Sequence, residues 1–133
     1  MRTYSFIALL GTALVAGCNT TGSTTGTARV VLNGKPLKVD SFGALNPECG
    51  SLGSTSVQVI EQPRNGKINI QQGMDYPRFN KENIRAHCNM KRAPSTLVFY
   101  VPSPGYQGSD TFQVEAVFPD GTTRIARYHL DVR

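Results

Sequence analysis

The groups able to hold a metal or move a proton are few: Cys18, Cys49 and Cys88, His87 and His129, and nine acidic residues spread along the chain. Soft metal ligands are one reading of Cys49, His87 and Cys88, but tetrahedral sites draw on four ligands at recurring spacings, and these three do not have them. His129 has no nucleophile near it in sequence. No Gly-x-Ser-x-Gly elbow, phosphate-binding loop or metal-binding helix occurs. Asp110 and Asp120 lie where calcium ligands would serve, yet calcium takes six to eight oxygens and no acidic cluster accompanies either residue. The expectation is therefore a protein that is not an enzyme, with no catalytic residue, cofactor or metal. A small hydrolytic enzyme built on paired carboxylates is kept as an alternative.

Cys18 has a different chemistry. Arg2, the apolar run Phe6 to Val15 and the small residues Ala16-Gly17 form the three parts of an export signal. The run is short of the roughly 20 residues that span a membrane. Val15-Ala16-Gly17-Cys18 resembles the lipobox of bacterial lipoproteins, which implies removal of residues 1–17 and acylation of Cys18 as the new N-terminus. An exported protein tends to pair its thiols; lipidating Cys18 leaves two. Asn19 rather than Asp after the cysteine implies, by the same resemblance, the outer membrane. Residues 18–27 hold the lipidated cysteine and the stretch NTTGSTTGT, which has no apolar side chain of any size and reads as a flexible linker. Such a linker reaches about 15 to 18 Å, so the domain should stay close to its membrane.

With Cys18 so used, a disulfide joins Cys49 to Cys88. It closes a loop of about forty residues, for which chain entropy gives roughly 4 kcal/mol.

The elements that carry these groups are strands. Phe112, Val114, Ala116 and Phe118 alternate with polar residues, as do Ala126, Tyr128, Leu130 and Val132, and Pro119-Asp120-Gly121 between them is hairpin chemistry. Thr96 to Val101 reads as a strand with Leu97, Phe99 and Val101 inward. Ser56 to Glu61 and Gly66 to Gln71 read as a pair joined around Pro63 to Gly66, and Ala28 to Leu32 and Lys35 to Asp40 flank the tight-turn residues Asn33-Gly34. About seven short strands with regular turn signals and no helical period specify an all-β sandwich over residues 28–133. Gly73 to Pro94 breaks the pattern and is expected to be a long loop insertion, with a helical turn within Asn80 to Ala86.

The run from Phe99 to Phe112, in which Tyr100-Val101-Pro102 is followed by Gly105-Tyr106 and then Gly108-Ser109-Asp110-Thr111-Phe112, is similar to a signature of bacterial Ig-like and cadherin-like domains. The likeness covers roughly Val57 to Val132. It implies an Ig-like, antiparallel sandwich and little about function, since such folds serve many roles. Pro102 and Pro104 should stop the strand, Asp110 should accept turn amides, and Tyr106 should pack as a tyrosine corner does.

Charge singles out one region. Arg64, Lys67, Arg78, Lys81, Arg85, Lys91 and Arg92 face only Asp75 and Glu82, while the rest of the mature chain holds six cations against seven acids. With Tyr76 and Phe79 in the same stretch, these seven cations form a candidate contact surface; a merely solvated loop is the other reading. The partners expected are the membrane, through the lipid, and anionic envelope polymers or an acidic protein. Nucleic acid is not expected in that compartment. A binding or adhesion module leads, and a structural envelope protein is its rival.

Overall fold

The structure, a computed structural model, describes residues 28–133, so the leader, Cys18 and the whole linker lie outside the described residues. Seven strands form two packed sheets. β1 (Arg29–Val31), β7 (Thr123–Val132), β6 (Gly108–Val117) and β3 (Ser56–Glu61) make one sheet in the order β1-β7-β6-β3. β2 (Leu37–Phe42), β5 (Ala93–Pro102) and β4 (Gly66–Asp75) make the other, in the order β2-β5-β4. The β6–β7 hairpin has the expected inward set, with Phe112 facing Tyr128 in register and Gly121 at φ +82° in the turn. All pairings are antiparallel except β1 with β7, which is parallel.

Four local expectations fail. Asn33-Gly34 makes a tight turn, yet β1 and β2 do not pair; they enter different sheets. The turn is tied elsewhere: the Asn33 amide donates to the Arg133 carbonyl at 2.7 Å and its side chain to the Tyr106 carbonyl at 2.9 Å. β3 and β4 likewise part at Pro63 to Gly66, because the Arg64 and Asn65 amides donate to the Asp110 carboxylate at 3.0 and 2.9 Å instead of across a hairpin. In β5 the inward residues are Val98 and Tyr100, both fully buried, while Phe99 and Val101 face outward. Both faces of this central strand are apolar, so alternation could not choose the phase. The expected long loop is also shorter, since β4 runs to Asp75 and β5 starts at Ala93; its helical turn is a 3-10 segment at Ala86–Met90.

The core is organised by an aromatic column. The Phe112 ring stacks on Tyr128 at 4.9 Å and on Tyr100 at 6.3 Å between centroids. Each terminal hydroxyl crosses to a carboxylate of the opposite sheet: Tyr100 donates to Asp110 at 2.9 Å, and Tyr128 to Asp40 at 2.5 Å. Asp110 is almost fully buried and also accepts the Thr111 amide, so the protein itself saturates it. Burial, together with the Asp110 hydrogen bond and charge, pushes the Tyr100 hydroxyl well above the ordinary tyrosine range. Gly66 makes room for this ring, since a Cβ there would sit 2.4 Å from it.

Removing the carboxylate of Asp110 orphans the Arg64, Asn65 and Thr111 amides at once and leaves the Tyr100 hydroxyl only its 3.1 Å bond to the Asn65 carbonyl. Asp110→Ala should therefore lose at least about 3 kcal/mol in urea unfolding, against under about 1 for Asp120→Ala in its exposed turn. An Asp110→Ala protein as stable as the parent would contradict this role.

Candidate functional site

The loop between β4 and β5 folds back over β2 and is held there by polar contacts. Lys38 binds Asp75 at 2.8 Å, and Arg78 pairs with Asp40. Asn89 brackets Phe79 with two backbone bonds, accepting its amide at 2.9 Å and donating to its carbonyl at 2.8 Å. At the far side of the loop the Cys49–Cys88 disulfide, with a Cα–Cα distance of 5.5 Å, ties it to the segment after β2. Leu45, Cys88 and Ala93 form a second small core there with Phe79 packed against it. The Arg85 Nε donates to the Leu45 carbonyl at 2.7 Å.

Between this clamped loop and the end of β1 lies a groove of about 420 Å³, walled by Arg29, Asp40, Phe42, Arg78, Phe118 and Arg124 among others. Two hollows of about 220 and 300 Å³ open at the same Arg29 and Asp40, one running past Lys38 and Tyr76 and the other along Arg124 to His129. Asp40 takes the Tyr128 hydroxyl, the Ser41 amide and the Arg78 guanidinium. Arg29 lies 5.4 Å over the Tyr128 ring, and Arg124 lies 5.9 Å from the Phe42 ring centre. Among the described residues neither has a carboxylate partner, whereas Lys38, Arg78, Arg127 and Arg133 each do. Each guanidinium thus lies against a ring with no hydrogen bond or ion pair among the described residues, an arrangement able to bind an oxyanion. Burial and the Asp40 bond raise the Tyr128 hydroxyl, while the charges of Arg124 and Arg29 pull against that rise. Both arginines line the groove and the hollow beside it.

The expected contact residues divide. Tyr76, Arg78 and Phe79 line the groove. Arg85 is spent on the Leu45 carbonyl, and Arg92 on that of Met74 at 2.7 Å. Lys81 and Lys91 are exposed on the loop, Lys67 on β4 and Arg64 at the corner beside Asp110; none of these lines the groove. Arg29, Asp40, Arg124 and Tyr128 escaped the sequence reading as site residues, because each looks like an ordinary strand residue until β1 and β7 of one sheet are brought against β2 of the other. Cys49, His87 and Cys88 do come within 4.8 Å of one another, but both sulfurs are spent in the disulfide and offer no thiolate. Asp120 accepts the Thr122 amide and hydroxyl of its own turn. Comparison with protein families, with curated proteins and with solved structures found no match for this chain.

The loop clamp responds to acid. Burial pushes the Asp75 carboxyl up, but hydrogen bonds from Lys38, Ser41 and the Tyr76 amide, with the Lys38 charge, outweigh it and hold the group at about 2 against an ordinary 3.8. A depressed carboxyl stabilises above its unfolded pKa and loses that contribution as pH falls through the folded one. About 1 to 2 kcal/mol, discounted for the half-exposed lysine, should vanish between roughly pH 4 and pH 2. Urea midpoints across that range should fall less in Lys38→Met than in the parent; identical acid sensitivity in the two would rule the clamp out.

Proposed function

We propose that the protein is a bacterial envelope lipoprotein, acylated on Cys18 and held at the outer membrane, whose sandwich serves as an Ig-like interaction module for an anionic component of the envelope. The lipobox-like Val15 to Cys18 and the pairing of the other two cysteines support the anchor. The signature from Phe99 to Phe112 supports the Ig-like or cadherin-like kinship of the sandwich. One observation carries the binding role: Arg29 and Arg124, free of carboxylates among the described residues, stand over aromatic rings at a concave groove. Preorganised guanidiniums lose little freedom on binding, so an oxyanion gains most of their charge-assisted hydrogen bonding. Hydrolysis fits the groove poorly. Its one carboxylate, Asp40, and Asp75 in the adjoining hollow are each held by a cation, whereas glycoside hydrolysis needs two carboxyls with separate protonation roles.

Anchor and groove are tested together by fractionating cells and then challenging the purified full chain with isolated anionic envelope polymers. Cys18→Ser should leave the membrane fraction or remain uncleaved. Arg29→Glu with Arg124→Glu should stay membrane-bound but bind the polymers at least about tenfold more weakly, and parent binding should weaken on going from about 0.1 M to about 1 M salt. Normal processing and retention of Cys18→Ser would refute the anchor. Unchanged polymer binding by the double reversal would refute the groove, and binding by neither protein would point to the purely structural role.

A further inference from the structure

β7 is ten residues long, but β1 covers only its end: Arg29, Val30 and Val31 pair with Leu130, Asp131 and Val132. β6 occupies the whole of the other side. From Thr123 to His129 the outer edge of β7 therefore has no strand partner among the described residues. One arm of the groove runs along this edge, lined by Arg124 to His129 and meeting Arg29 and Asp40. Unpaired strand edges that persist in a folded protein are normally shortened, charged or covered, and here a cavity with two unspent cations borders one.

We propose that this edge is a strand-addition site, at which an extended acidic segment of a partner protein pairs with β7 in line with β1 and sets its carboxylates against Arg29 and Arg124. The proposal rests on the reading of the groove as the contact surface and adds the class of partner. Backbone amides and carbonyls of a strand edge are satisfied by another peptide chain, and not by a phosphate polymer or a glycan. Side-chain parity supplies the rest. Arg124 shares its parity with Ala126 and Tyr128, and Arg29 shares its own with Val31, so both guanidiniums lie on the inner side of the sheet, over Phe42 and Tyr128. Inward side chains of an added strand would meet these cations. Outward ones would meet Ile125 and Val30, both about half exposed. The complementary sequence alternates acidic with apolar residues. The protein's own NTTGSTTGT, which precedes Ala28, contains neither an acid nor a large apolar side chain, so it offers the arginines no counter-charge.

Hydrogen exchange on the full chain in detergent tests this, using synthetic peptides of about eight residues that alternate Glu with Val or Ile, and matched peptides with Lys or Gln in place of Glu. The Glu peptides should slow amide exchange in Thr123 to His129 and bind at least about tenfold tighter than the Lys set, and Arg29→Glu with Arg124→Glu should invert that order. No slowing by any Glu peptide overturns strand addition. So does an edge already protected before peptide is added: protection that rises with protein concentration would assign the edge to a second copy, and protection independent of it to the chain's own N-terminal segment. If the peptides fail while anionic envelope polymers still bind through Arg29 and Arg124, only the partner class is wrong; if both fail, the groove reading falls with it.

Discussion

The Asp110 carboxylate is the point through which the two sheets are locked together. It receives the Arg64 and Asn65 amides from the corner between β3 and β4, the Thr111 amide from its own strand and the Tyr100 hydroxyl from the opposite sheet. Burying a carboxylate is costly unless hydrogen bonds replace its water, and here four donors do so. The consequence travels through the core, because Tyr100 begins the column that continues through Phe112 to Tyr128. Gly66 is constrained by the same bond, since the ring that reaches Asp110 leaves no room for a side chain beside it.

At the other end of the column the same chemistry is left open. Tyr128 again donates across the sandwich to an aspartate, but Asp40 borders the groove and shares its charge with the exposed Arg78. One tyrosine–aspartate pair is sealed by three backbone amides and holds the fold; the other is closed by the Ser41 amide and the loop side chain Arg78 and shapes a surface. The disulfide, the second small core and the Lys38–Asp75 pair restrain that loop from its far side to its start. A groove fixed from several directions presents its cations without first having to order them, which is what favours selective binding.

Much of the architecture was legible from local pattern. The β6–β7 hairpin follows from two alternating runs and a turn, and the disulfide from the parity of the cysteines. Asp110 was readable as a receiver of turn amides. What escaped was non-local. Asn33-Gly34 and Pro63 to Gly66 have hairpin chemistry, yet each carries the chain between sheets, because their amides are claimed by Arg133 and Asp110 from elsewhere in the sequence. The phase of β5 was hidden by its two apolar faces. Charge counting drew attention to the loop and so found Tyr76, Arg78 and Phe79, but it passed over Arg29 and Arg124, which stand far apart in sequence and meet only because β1 and β7 lie in one sheet.

That function resides at the open end of the column is tested most directly by photo-crosslinking in living cells, with the reactive group placed in turn at position 125, which lines the arm of the groove along β7, and at position 67, on β4. The account predicts a discrete crosslinked partner from position 125 and none from position 67. The same partner captured from position 67, with nothing captured from position 125, would contradict it.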